Sequence, residues 1–197
     1  IYAQIFLLIP IILFVVWSLR SSLQLGLRYI MPMFPFLFIW IATNIATFLD
    51  QNKKSKITKI IIYAVITLYS VSNIAYFPNF FAFRNEVSRL QNPIEQLTDS
   101  DYDWGQNIYL LSEFQKANNL YPLYIKSFSG ANLGYYNIDT QQDAIEAFNQ
   151  KNHGYYAFSH SAMVSLKQNN PEIYQYFSVL NPDYVIGQNI YIYKLPK

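Results

Sequence analysis

Residues 60–83 read IIIYAVITLYSVSNIAYFPNFFAF, an uncharged run that closes on aromatic side chains around Pro78. A helix needs about 20 mainly apolar residues to cross some 30 Å of hydrocarbon, so this run is long enough to span a bilayer. Aromatic residues favour the membrane interface and proline suits a helix end, which places the exit near Tyr76 to Pro78 and the span at about 59–77. Whatever follows residue 83 then belongs to a different environment.

Towards the amino terminus two more uncharged windows appear, Ile1–Leu19 and Ile30–Leu49, giving expected spans at about 1–19 and 29–49. Pro10, Pro32 and Pro35 fall inside or at the edge of these spans. Proline is tolerated there when neighbouring helices, polar side chains or water satisfy the freed carbonyls, so kinked helices in a larger bundle are expected. Ile1 sits within an apolar run that has no basic flank before it and is followed by Arg20. That pattern is not a signal peptide, and the chain reads as the C-terminal fragment of a longer membrane protein.

Charge divides the chain in the same place. Residues 1–77 carry Arg20, Arg28, Lys53, Lys54, Lys56 and Lys59 against Asp50 alone, whereas residues 78–197 carry 8 basic and 11 acidic side chains. The formal net charge of +2 therefore gives no argument for nucleic-acid binding, because the basic residues flank spans and form no aromatic-interleaved patch. They act as topology signals. The lysine-rich loop, Lys53 to Lys59, is expected on the cytoplasmic side by the positive-inside rule. Arg28 and the C-terminal domain then lie on the extracytoplasmic face. The absence of cysteine excludes a disulfide framework and any Cys-containing metal site.

The expected architecture is thus a transmembrane region at 1–83, of three α-helical spans, followed by a small soluble α/β domain with a mixed sheet at 84–197. The signals in the second part alternate. Asp103 is expected to cap a helix ending at Asn118-Asn119, with Ile108, Leu111 and Phe114 or Gln115 on one face. Tyr121–Phe128 and Gly154–Ser159 read as strands, Asp143–Asn149 as a helix, and Pro171–Phe177 as a helix opened by proline. Tyr184-Val-Ile and Ile190-Tyr-Ile-Tyr flank Gly187-Gln-Asn and read as a β-hairpin.

Two places invite a functional reading. Asp99, Asp101 and Asp103 alternate like the start of a calcium loop, but the sixth position is Trp104 and the twelfth is Leu110, where glycine and a bidentate carboxylate are needed. A turn with helix capping, or a loop facing a polar ligand or cation at the membrane surface, remain the two readings. The loop residues concerned are Asp99, Asp101, Asp103, Trp104 and Gln106. Arg28 with Tyr29 stands at the start of the second span. Its guanidinium is either an anchor that snorkels to the headgroups or a paired donor to a lipid phosphate. His153 and His160 lack a second ligand at metal spacing, and the Ser129-Gly-Ala-Asn-Leu-Gly segment lacks the full dinucleotide fingerprint.

The segment Leu25-Gly-Leu-Arg-Tyr-Ile-Met-Pro-Met-Phe-Pro-Phe resembles the Gly-x-Arg-Tyr-x-x-Pro-x-x-Pro segment near the C-terminal spans of bacterial GT-C-fold membrane glycosyltransferases. These are relatives of the dolichyl-phosphate-mannose protein mannosyltransferases and the aminoarabinose transferase. Pro78-Asn-Phe-Phe-Ala-Phe-Arg-Asn-Glu followed by Asp99-Ser-Asp-Tyr-Asp-Trp-Gly-Gln-Asn is similar to a stretch of one bacterial subgroup, as is the terminal hairpin Ile186-Gly-Gln-Asn-Ile-Tyr-Ile-Tyr. Asp101 and Asn107 depart from that subgroup's usual Asn and Asp. The resemblance covers most of the chain from about residue 24.

It implies transfer of a sugar from a polyprenyl-phosphate-linked donor to an acceptor on the outer face of the bacterial cytoplasmic membrane. The donor and membrane lipids would be the partners. No cofactor is expected, with room left for a divalent metal in the full-length parent. The resemblance also implies that the catalytic acidic residues lie in an earlier external loop, so none is assigned here. The rival expectation is a non-catalytic membrane scaffold or assembly subunit with an extracytoplasmic binding domain.

Overall fold

The structure is a computed structural model that describes residues 2–22, 30–51, 55–85, 87–90, 102–127, 132–140 and 142–196. Among them the chain separates into two compact units, Ile1–Ala75 and Tyr76–Lys197.

The first unit is helical. Helix α1 runs Tyr2–Arg20 with Pro10 inside it. A short 3-10 turn, Met31–Met33, leads into α2, Phe34–Gln51, and α3 covers Lys56–Ile74. Two segments, Met31–Gln51 and Lys56–Ile74, are long and apolar enough to cross a membrane, whereas the apolar stretch Gln4–Arg20 is shorter. Three spans are expected from the sequence, and among the described residues two helices have the length and composition that a span requires. Pro32 lies in the 3-10 turn and Pro35 in the first turn of α2, where a missing N–H costs nothing, so Pro10 alone interrupts a helix interior.

Neither α2 nor α3 buries any residue, and Ile57, Ile60, Leu68 and Ile74 are each about 65–71% exposed. An apolar surface of that extent needs a cover other than water. Several polar side chains on these helices bond back to their own backbone. Thr47 and Ser70 donate to carbonyls one turn back, as do Thr43, Asn44 and Asn73. Asn44 also donates to Gln4 Oε1 at 3.3 Å, joining α2 to α1.

The second unit is an α/β layer structure. Helix α4 is Ile108–Asn118, β1 Leu123–Lys126, α5 Ala144–Asn149, β2 Gly154–Ser159, α6 His160–Asn169, α7 Pro171–Ser178, β3 Tyr184–Ile186 and β4 Ile190–Leu195. The strand order is β1-β2-β4-β3, with β1 parallel to β2 and the other pairs antiparallel.

Period-two alternation sorts the side chains of this sheet by chemistry. One face carries Tyr124, Tyr156, Phe158, Tyr191 and Tyr193, covered by α5, α6 and α7 through Ala147, Met163, Leu166 and Phe177. The other carries Leu123, Ile125, Ala157, Ile190 and Ile192, covered by α4 through Ile108 and Leu111. The cross-strand pairs Tyr156↔Tyr193 and Ala157↔Ile192 show the two faces side by side. A one-residue slip would exchange aromatic for aliphatic packing on both sides, which fixes the register.

Gln115 on α4 reads as polar in sequence yet is fully buried. Its amide donates to Asp139 O at 2.6 Å and its carbonyl accepts from Asp139 N at 3.0 Å, pinning the loop between β1 and α5.

Candidate functional site

The segment Tyr102–Asn107 is held at the carboxyl end of β2, the end at which open α/β sheets bind ligands. Asp103 is 1% exposed. Its Oδ1 accepts from Gly105 N at 3.0 Å and from Asn189 Nδ2 at 3.2 Å, and its Oδ2 accepts from Ser161 N at 3.0 Å. Ser161 belongs to the first turn of α6, where unpaired N–H groups and the helix dipole favour a negative charge. Ser159 supplies the second cap of the same turn, accepting from Ala162 N at 3.3 Å.

This corrects the sequence expectation for Asp103. The carboxylate does not cap α4, whose first residue follows Asn107 with no side-chain capping bond. It caps α6 instead, because the turn at Gly105 carries the chain away before α4 begins and leaves Asp103 facing the start of α6.

The rest of the segment closes on the hairpin. Asn107 Nδ2 donates to Gly187 O at 3.0 Å and to Asn189 Oδ1 at 2.7 Å. Tyr102 Oη donates to Gln188 O at 2.8 Å, and His160 N donates to Asn189 O at 2.7 Å. Gly187 is required here. Its φ is +56°, and a Cβ built on it would lie 2.1 Å from Asn107 Nδ2.

The buried rings form a second layer. Tyr102 meets His160 edge to face with ring centres 4.6 Å apart, and His160 Nδ1 lies 3.4 Å from Tyr191 Oη. Burial pushes the Tyr102 hydroxyl up to about 12, against a smaller opposing pull from the Arg84 guanidinium. Burial likewise raises Tyr191. Both rings are therefore neutral donors or acceptors across the ordinary pH range.

Tyr102 also packs with Tyr76, Ala82 and Phe83 in a small apolar cluster, so the chain enters this unit at the same end as the Asp103 network. Tyr76 Oη donates to Arg84 O at 3.2 Å.

The expected loop residues thus part company. Asp103 is spent as a buried cap, with its oxygens engaged by three donors. Gln106 closes its own turn, accepting from Trp104 N at 2.8 Å and donating to Tyr102 O at 3.1 Å. Trp104 is 54% exposed at the tip. The arrangement presents one indole on a braced turn. Asp99 and Asp101, like Arg28 and Tyr29, lie outside the described residues.

Sequence reasoning missed Asn107, His160, Ser161 and Asn189 as partners of this loop. The signal for α6 was present: Ser159 as cap, then Ala162, Met163 and Leu166 at helical spacing. Among the described residues no group of three or more His, Cys, Asp or Glu could hold a metal ion. Compared with known protein families, characterised proteins and solved structures, the chain matches none.

Proposed function

We propose that this chain forms the C-terminal part of a bacterial membrane-embedded glycosyltransferase of the GT-C fold, which moves a sugar from a polyprenyl-phosphate-linked donor to an acceptor on the extracytoplasmic face. In this reading the α/β unit stands outside the membrane and its Tyr102–Asn107 loop meets the donor or acceptor. The observation that carries it is the bracing of Trp104. The segment most specific to the resemblance uses Asp103, Gln106 and Asn107 to brace the backbone turn that carries one exposed indole, at the end where the chain enters the unit. An exposed aromatic ring on a braced turn suits the apolar face of a sugar.

The test is a transfer assay on the full-length parent in proteoliposomes, with polyprenyl-phosphate-linked sugars as donors. Trp104→Ala should lower transfer about tenfold or more, with insertion and melting temperature unchanged. A parent that transfers no sugar from any such donor would instead favour the scaffold reading.

A further inference from the structure

A second feature lies at the opposite end of the sheet, where β2 begins and β4 ends. There a cavity of about 490 Å³ opens among Phe148, Asn149, Lys151, Asn152, His153 and Tyr176, a size ordinary for small-molecule sites. Its floor is aromatic. The Tyr176 ring, 45% exposed, is braced by Phe148 at 5.0 Å and by Phe177 at 5.3 Å between ring centres. The Tyr156 hydroxyl beneath is committed to Asn152 O at 2.6 Å.

The rim has the opposite chemistry. Lys151 and His153 line it together with the amides of Asn149 and Asn152, and none of the lining side chains is a carboxylate. His153 Nδ1 lies 2.6 Å from Pro196 O. A carbonyl carries no proton, so Nδ1 must be the donor, and Nε2 is left to accept when neutral or to donate when protonated.

Lys151 also occupies an unusual backbone position. Its N–H bonds to Phe148 O at 2.9 Å and Asn152 N bonds to Ala147 O at 3.0 Å, closing the end of α5, with Lys151 at φ +59°. Glycine is the residue that such a helix end favours, because a side chain in the left-handed region crowds its own backbone. The chain keeps a cation at the rim where a glycine would fold more easily. Strain held beside a cavity is a pointer to function.

We propose that this cavity binds an anionic saccharide, a sugar ring bearing a carboxylate or a phosphate. The ring lies on Tyr176 and Phe148, the amides take hydroxyls, and the acid group meets Lys151 and His153. The inference stands apart from the transferase reading, since a scaffold would use the same site.

Isothermal titration of the full chain, in a detergent without a sugar headgroup, tests it with glucuronate oligosaccharide, a hexose phosphate, the neutral oligosaccharide and inorganic phosphate. The acidic sugars should bind at least about tenfold more tightly than the neutral one and than phosphate alone, with the preference shrinking at high salt. Whether the carboxylate or the phosphate binds better identifies the source of the charge. Lys151→Gly should lose about tenfold in affinity for acidic sugars while its melting temperature holds or rises. Tyr176→Ala should weaken all sugars alike, and Tyr176→Phe should not. No binding of any acidic sugar, phosphate binding as well as the sugars do, or unchanged affinity in Lys151→Gly would each overturn the proposal.

Discussion

Asp103 Oδ2 accepts the backbone N–H of Ser161 at 3.0 Å, a bond that ties the turn before α4 to the first turn of α6 across 58 residues of chain. Removing the carboxylate strands two buried donors, Ser161 N and Asn189 Nδ2, and a partly buried third, Gly105 N. A buried donor left unsatisfied costs roughly 1–3 kcal/mol, so Asp103→Ala should destabilise the second unit by about 3 kcal/mol or more. Asp103→Asn keeps one acceptor oxygen and should cost less. Ser161→Ala is the control, because the Ser161 hydroxyl is buried without a hydrogen-bond partner and its loss should be neutral or slightly stabilising. Denaturant midpoints together with hydrogen exchange in the first turn of α6 measure all three. Asp103→Ala with wild-type protection in α6 would refute the capping role.

The hairpin supplies a paired test of backbone conformation. Gly187 has φ +56° with Asn107 pressed against it, and Gln188 next to it has φ +65°. Gly187→Ala must displace Asn107 from its two bonds, and should destabilise by about 2 kcal/mol or more. Gln188→Gly keeps the carbonyl that Tyr102 uses and relaxes a left-handed residue, so it should cost nothing or gain up to about 1 kcal/mol. Thermal melts should show a clear drop for Gly187→Ala and no drop for Gln188→Gly.

Alkali should find the buried tyrosines of the second unit. Tyr102, Tyr156 and Tyr193 are each raised to about 12, chiefly by burial, with neighbouring tyrosines adding to the shift at Tyr156. Below pH 10 these groups are protonated in both folded and unfolded chains and contribute no pH dependence. Above it the unfolded chain releases protons that the fold retains, so stability falls as pH rises from about 10 to about 12. Tyr193→Phe should flatten part of that slope, which equilibrium unfolding at stepped pH would reveal. A slope that is unchanged in the variant would argue against the burial of this hydroxyl.

Local pattern made much of the second unit legible. Asn119, at φ +51°, ends α4 where the sequence placed its end, β2 runs Gly154–Ser159 as expected, and Pro171 opens α7. Each of these signals lies within a few residues of the element it controls. Helix α6 was missed because Ser159 is at once the last residue of β2 and the cap of the helix, so no turn residue separates the two. The capping partner of Asp103 was illegible for a different reason: the chain order of Asp103, Ser161 and Asn189 contains nothing that says they meet. The cavity beside Lys151 is built from α5, α7 and the end of β4, and the left-handed lysine that marks it has no signature in sequence.

Arg28 lies outside the described residues, and its proposed part in binding the phosphate of a lipid-linked donor rests on its place in the sequence, at the start of the second apolar stretch. A guanidinium matches a pair of phosphate oxygens with two parallel N–H bonds, while an ammonium offers a point charge. Arg28→Lys in the full-length parent should therefore lose part of the transfer activity although the charge is kept, and Arg28→Ala should lose more. Charge-assisted hydrogen bonds are worth roughly 1.5–3 kcal/mol, which corresponds to about a ten- to hundredfold weaker use of donor for the alanine variant. Protein level and membrane insertion should match wild type, since either residue leaves the apolar stretch that follows intact. Rates measured against donor concentration separate the two roles. A phosphate ligand raises the donor concentration needed when it is lost, and an interfacial anchor leaves it unchanged. Full transfer by a normally inserted Arg28→Ala would make this arginine an anchor that snorkels to the headgroups.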